Sequence, residues 1–150
     1  MEVRVFWIGK TRLPGVAELT EEYSRRLHRY CDFRGEEIRP GRRKSGAGSG
    51  EENAMLARSA GSHLIVLDAA GRNWNCGEFA NFLKRARDRS TPALTFCVGG
   101  ADGFSASFRE RADLLLSLSP LTMPHELARV VLLEQIYRAW TMLANHPYPR

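Results

Sequence analysis

Apolar positions along the chain fall into short runs alternating with longer periodic stretches. Glu2 to Ile8 (EVRVFWI) is β-branched and aromatic and stops at Gly9, which predicts a first strand. From Pro14 to about Tyr30, Val16, Leu19, Tyr23, Leu27 and Tyr30 recur at helical steps, with Arg and Glu between them. Phe33 to Arg39 is a weaker strand candidate. Arg39 to Gly50 then breaks all periodicity with Gly, Ser and basic residues, as a loop does. Glu51 to Ser59 predicts a modest helix with acidic residues in its first turn, where the helix dipole favours them.

His63 to Asp68 (HLIVLD) is an uninterrupted apolar run closed by a polar residue, the pattern of a strand covered on both faces and hence of a parallel sheet. Asn75-Cys76-Gly77-Glu78 reads as a capping box, and Phe79, Phe82, Leu83 and Ala86 form the buried stripe of the helix it opens. Leu94 to Val98 predicts the next strand, Ser105 to Ala112 a short helix, and Leu114 to Leu118 the last strand. Pro124 to about Asn145 predicts a long final helix, with Pro124 tolerated in its first turn. Strands alternating with helices predict an α/β fold with a small parallel sheet. At 150 residues, one domain covering 1–150 is the simplest organisation.

The final helix carries Leu127, Val130, Val131, Leu132, Leu133, Ile136, Tyr137, Trp140 and Leu143, apolar on more than one side. Such a helix needs two apolar surfaces to lie against. Its own sheet supplies one, and a twofold-related copy is the expected second, so a homodimer is predicted.

Composition narrows the class. The N-terminal residues lack a basic segment followed by an apolar one, and no run approaches the length of a membrane span, so a cytoplasmic protein without a membrane partner is expected. Cys31, Cys76 and Cys97 are scattered and odd in number, which argues against a disulfide framework and against a metal site. A net charge of +5 favours an anionic partner. Positive residues concentrate at Arg25, Arg26 and Arg29, at Arg39, Arg42, Arg43 and Lys44, and at Lys84, Arg85, Arg87 and Arg89. A solvated basic surface with no binding role is the competing account of each cluster.

Candidate chemistry lies where two apolar runs end. Gly99-Gly100-Ala101-Asp102-Gly103 follows one strand, and Ser119-Pro120-Leu121-Thr122 follows the next. Loops at the carboxyl ends of parallel strands are the usual ligand sites of α/β proteins. The glycine loop has no lysine ending, so it is not a P-loop, and G-x-G-x-x-G cannot be read in it. Alone it is equally a sharp strand-to-helix turn.

Three segments in order carry a more specific signal: Phe96 to Gly103 (FCVGGADG), Leu116 to His125 (LSLSPLTMPH) and Arg129 to Trp140 (RVVLLEQIYRAW), with Asn145-His146-Pro147-Tyr148 after them. Together they resemble the ribosomal large-subunit methyltransferase H family, the pseudouridine N3-methyltransferases of the SPOUT class. The resemblance covers essentially the whole chain. It implies a SPOUT-type fold with a C-terminal trefoil knot, a homodimer, S-adenosylmethionine as methyl donor, and a pseudouridine in large-subunit ribosomal RNA or the ribosome as substrate. It places the donor at Leu67, Gly99, Gly100, Leu118, Ser119, Pro120, Leu121, Thr122 and Met123. Candidates for catalysis are Tyr148, Arg138 and His125, with His146 and Arg129 nearby in sequence. Arg25, Arg29, Arg42, Arg43 and Lys44 are the candidate RNA-backbone contacts. For His125 the plainer role is capping the final helix, and for Arg138 pairing with Glu134.

One departure stands out. The family's tail commonly reads Pro-Tyr-His followed by a basic residue, whereas Pro147-Tyr148 is followed here by Pro149-Arg150. A mechanism that gives the proton to that histidine has no residue for it. A catalytically impaired RNA- or ribosome-binding protein of the same fold is therefore the alternative, and a nucleotide-binding module unrelated to methylation is a third.

Overall fold

The computed structural model describes residues 1–39 and 50–148. Five strands, β1 (Glu2–Ile8), β2 (Asp32–Ile38), β3 (His63–Asn73), β4 (Ala93–Val98) and β5 (Leu114–Ser117), form one parallel sheet in the order β2-β1-β4-β3-β5. Helices α1 (Pro14–Leu27), α2 (Gly50–Arg58), α3 (Cys76–Asp88), α4 (Ala106–Glu110) and α5 (His125–Leu143) connect and cover it. The expected α/β architecture with a parallel sheet is the observed one.

Alternation along the strands sorts the side chains into two cores. Val3, Val5 and Trp7 of β1, Ile65 of β3 and Leu94, Phe96 and Val98 of β4 join α1, α3 and α5 on one face. Phe6, Leu64, Val66 and Cys97 join Met55 of α2 and Phe108 of α4 on the other. Every residue of β4 is buried, as befits the central strand of a sheet covered on both sides. Burial pushes the thiols of Cys31 and Cys97 up to about 12, so both are inert as nucleophiles.

β3 departs from the sequence reading. The chain stays extended past Asp68 to Asn73, and Leu116 of β5 is a bridge partner of both Leu67 and Arg72. A strand residue accommodates one partner on each edge, so β5 runs between the two ends of β3, beneath an arch formed by Asp68 to Gly71. The crossing is tight. A β-carbon on Gly71 would lie 2.6 Å from the Leu115 carbonyl carbon and 2.7 Å from the Leu116 nitrogen. Only glycine permits that approach.

α5 corrects the reasoning that led to a second subunit. Its apolar faces are largely filled within the chain, because α5 packs against α1, α3 and β4. Val130, Leu132, Leu133, Ile136, Tyr137, Ala139 and Trp140 are buried. Leu127 and Met142 stay exposed. Two-sided apolarity thus reflects two flanking helices and does not by itself require a partner. The helix is also tied to the β1–α1 connection. Glu126 accepts from the Arg12 and Leu13 amides at 2.8 and 3.2 Å, and buried Arg129 donates to Thr11 with its guanidinium 4.8 Å from the Trp7 ring centre. No helix among the described residues is long and apolar enough to cross a membrane.

Candidate functional site

Two strand ends and the middle of a third strand open onto one cleft of about 480 Å³. The middle of β3, where the arch begins, contributes Leu67 and Asp68, the loop after β4 contributes Gly99 and Gly100, and the segment after β5 contributes Leu118, Ser119, Leu121, Thr122 and Met123. Two loops that the sequence separates by a helix and a strand are thereby brought face to face. Of the nine residues expected around the donor, Pro120 alone does not line the cleft.

Each wall is held by local chemistry. Gly103 has φ +67 and its amide donates to the Gly100 carbonyl at 3.1 Å, closing the glycine loop. A β-carbon on Gly99 would come within 3.3 Å of the Gly103 backbone, so this loop tolerates no side chain there without shifting. Beyond the loop, Ser105 caps α4 by accepting from the Phe108 amide at 3.2 Å. Across the cleft, Ser117 Oγ donates to the Ser119 carbonyl at 3.0 Å, and Ser119 Oγ accepts from the Leu121 amide at the same distance. Asp68 accepts from the Ala70 amide at 2.8 Å and from Arg109 at 3.2 Å, which ties the arch to α4.

The lining decides which ligands suit it. Leu67, Val98, Leu116, Leu118 and Leu121 give apolar walls, with Leu121 79 % exposed at the mouth. Among the described residues no lysine or arginine lines the cleft, and the ionisable side chains that do are Asp68 and His125. A polyphosphate would find no cation among the described residues there, whereas a nucleoside without phosphates would find apolar faces and loop amides and carbonyls.

The three catalytic candidates do not meet within one chain. His125 lines the cleft as the first residue of α5. It does not cap that helix, whose N-cap is Pro124 without a side-chain hydrogen bond. Arg138 lies thirteen residues further along the same helix, ~20 Å away at the helical rise. It lines, with Tyr148, a second cavity of about 760 Å³. There Arg138 donates to Glu134 at 2.6 Å and sits 4.9 Å from the Tyr148 ring centre. The Tyr148 hydroxyl donates to Glu134 at 3.2 Å and lies 3.3 Å from the Tyr23 hydroxyl. Burial, then the Tyr23 contact and the Glu134 charge, raises the Tyr148 pKa further above neutral, so the phenol is a donor and not a base. The hydrogen bond to Glu134 raises the Arg138 pKa, so its charge is fixed.

Of the basic candidates, Arg25 is exposed and pairs with Glu22 at 2.6 Å, while Arg29 is exposed with no ion pair to a described residue. Arg42, Arg43 and Lys44 lie outside the described residues. No group of three or more metal-ligating side chains occurs among the described residues. The sequence reading missed Glu52, Gly71 and Arg109, whose partners lie far off in the chain and leave no local signal.

A family model described as "Predicted SPOUT methyltransferase" matches residues 1–149. A protein of Geobacter sulfurreducens named ribosomal RNA large subunit methyltransferase H is 42 % identical, covering 99 % of both chains. Proteins of the same name from Methylococcus capsulatus and Rhodopseudomonas palustris are 40 % and 43 % identical and cover 100 % of this chain, matching 100 % and 99 % of their own. Among solved structures, a tRNA methyltransferase from Aquifex aeolicus superposes with a TM-score of 0.60 at 12 % identity, over 100 % of this chain and 75 % of its own. A Legionella pneumophila structure, described as a methyltransferase with bound cofactor SAM, gives 0.53 at 16 % identity, over 93 % and 66 %. At those identities the solved structures show a shared fold.

Proposed function

The chain belongs to the SPOUT methyltransferase family, and from that premise we propose that it methylates large-subunit ribosomal RNA with S-adenosylmethionine, at N3 of a pseudouridine. The observation that carries the reading is the cleft itself: two loops and the middle of β3 converge on a space with apolar walls and, among the described residues, no phosphate-binding cation. The relatives' shared name supports the RNA substrate. Pseudouridine N3 rests on the resemblance of the three sequence segments.

The residues fit such a donor. Leu67, Leu118 and Leu121 would cover the faces of the adenine, and the backbone of Gly99, Gly100 and of Ser119 to Met123 would read its edge. When bound, S-adenosylmethionine supplies an electrophilic methyl group carried on a sulfonium. Aligning the acceptor with that methyl and keeping water out provide much of the rate. His125 in the cleft lining would receive the N3 proton, and Arg138 would steady the charge left behind, with Tyr148 holding it in place.

Because His125 and Arg138 stand ~20 Å apart on one helix, a single reaction centre containing both needs two chains. We propose a homodimer in which the tail of one copy reaches the cleft of the other. The passage of β5 beneath the Asp68–Gly71 arch supports the trefoil knot implied by the family resemblance.

Titration calorimetry with S-adenosylmethionine and its demethylated product, with ATP and NAD as controls, tests the donor. Heat with the first pair alone is expected. No heat with either retires the reading. Transfer of labelled methyl to ribosomes lacking the modification tests the substrate. One feature favours a second reading: Pro149 follows Tyr148 where the family's tail carries histidine. Donor binding without any methyl incorporation would identify an RNA- or ribosome-binding protein that kept the fold.

A further inference from the structure

On the far side of the arch from the donor cleft, two cavities of about 430 and 340 Å³ share His63, Phe82 and Arg85 as walls and so form one groove. Its floor is aromatic. The Trp74 and Phe82 rings are 5.2 Å apart at 38°, and His63 stands 5.9 Å from Phe82. Trp74 and Phe82 are half-buried, so part of each ring stays open to a ligand. Its rim is cationic: Arg72, Arg85 and Arg89 are exposed and have no ion pair with a described residue. Among the described residues one carboxylate stands in the wall: Asp113, whose Oδ2 accepts from the Leu64 amide at 2.7 Å and lies 3.8 Å from His63 Nδ1.

We propose that this groove binds a single-stranded segment of the substrate RNA beside the nucleotide to be methylated. Unpaired guanidinium groups around an aromatic floor match the two recurring parts of such a strand, phosphates and flat bases. An acidic protein surface would use the arginines but has no need of the rings. Continuity with the donor site supports the assignment. Leu67 to Ala69 line the cleft and Ala70 to Arg72 line the groove, so one short crossing separates the two. This rests on the RNA-substrate reading above, and it gives a role to part of the Lys84–Arg89 cluster, as distinct from Arg25 on α1 and Arg29 just beyond it.

The test uses the full chain and a fluorescein-labelled single-stranded RNA decamer. Trp7 and Trp140 are 8 % and 6 % exposed, so quenching of tryptophan fluorescence on binding reports Trp74. Stacking predicts that Trp74→Ala weakens binding by about tenfold or more, while Trp74→Phe retains most of the affinity and loses the quenching. In the Arg72→Ala, Arg85→Ala, Arg89→Ala triple variant, the slope of log affinity against log salt should fall by about 2. All three arginines are exposed, so an unchanged melting curve is expected to accompany the loss. Unchanged decamer affinity in the triple variant and in Trp74→Ala overturns the proposal, and so does binding with no tryptophan quenching that a polyglutamate competes away. Calorimetry with S-adenosylmethionine on the same proteins keeps the two readings apart. Wild type that binds the donor, with groove variants whose KM for ribosomal RNA is unmoved, sinks the groove alone. Wild type that binds no donor sinks the methyltransferase reading, while the decamer still decides the groove.

Discussion

Glu52 of α2 holds Ser105 by both carboxylate oxygens, accepting from its amide at 2.9 Å and from its hydroxyl at 2.6 Å. Ser105 is the cap of α4 and the far anchor of the glycine loop, so a buried acid from a distant helix fixes one wall of the cleft. Hydrogen bonds to a charged group contribute about 1.5–3 kcal/mol each, enough to decide whether a loop of small residues holds one shape.

Glu52→Ala should therefore weaken donor binding by about tenfold while the chain stays folded. Glu52→Gln keeps an acceptor for the Ser105 amide and should recover part of the loss. Calorimetry with S-adenosylmethionine beside thermal melts separates the effect on the loop from a general loss of stability. Equal donor affinity in wild type and Glu52→Ala would leave the contact structural only.

Gly71 is the second long-range constraint. A methyl group there meets backbone, and backbone cannot rotate away as a side-chain end does. Gly71→Ala is expected to destabilise the fold by about 3 kcal/mol, read as a lowered urea midpoint. Gly15, in the first turn of α1, has nothing within 4 Å of its would-be β-carbon, so Gly15→Ala serves as the control and should be neutral or slightly stabilising.

These two contacts mark where the sequence stops being readable. HLIVLD shows its strand because both faces are covered, and Asn75 with Glu78 shows its helix start because the capping box is local, with Asn75 Oδ1 accepting from the Glu78 amide at 2.9 Å. The stretch from Ala69 to Asn73 has no such signal. It is small and polar, and its end joins the sheet because β5, formed much later in the chain, pairs with Arg72 and Asn73. α5 misleads in the opposite direction, since its second apolar face implies a partner that α1 and α3 supply from within. Likewise the two loop motifs point to the cleft, but not to the contacts that Glu52 and Arg109 make beside it.

Glu126 makes a link that pH can break. Its carboxylate accepts from the Arg12 and Leu13 amides, where α1 begins without a side-chain cap of its own. Those bonds, helped by the charge of Arg129 and His125, hold its pKa below the usual carboxylate value. A depressed folded-state pKa adds stability above the unfolded value, and that stability is lost as pH falls through the folded one. Glu126→Gln should therefore melt below wild type at pH 7, with the gap closing as pH falls below about 4.3. A gap of the same size at pH 7 and pH 3 would show that the charge is not what matters.

The proposed two-chain centre makes a prediction that one-chain catalysis does not. Leu118→Arg places a charged side chain in the cleft, and Arg138→Ala removes the guanidinium from the tail cavity, so each variant alone should lose methyl transfer. Mixed and allowed to exchange subunits, half of the dimers carry one of each. In such a dimer, the cleft of the Arg138→Ala chain faces the intact tail of the Leu118→Arg chain, so about a quarter of all sites should regain activity. If both residues act within one chain, no mixture contains a whole site and activity stays at the level of the separate variants. Size-exclusion chromatography with light scattering must show the dimer mass in the same samples. A monomer that nonetheless methylates would mean that Arg138 and Tyr148 serve only to hold the tail against α5.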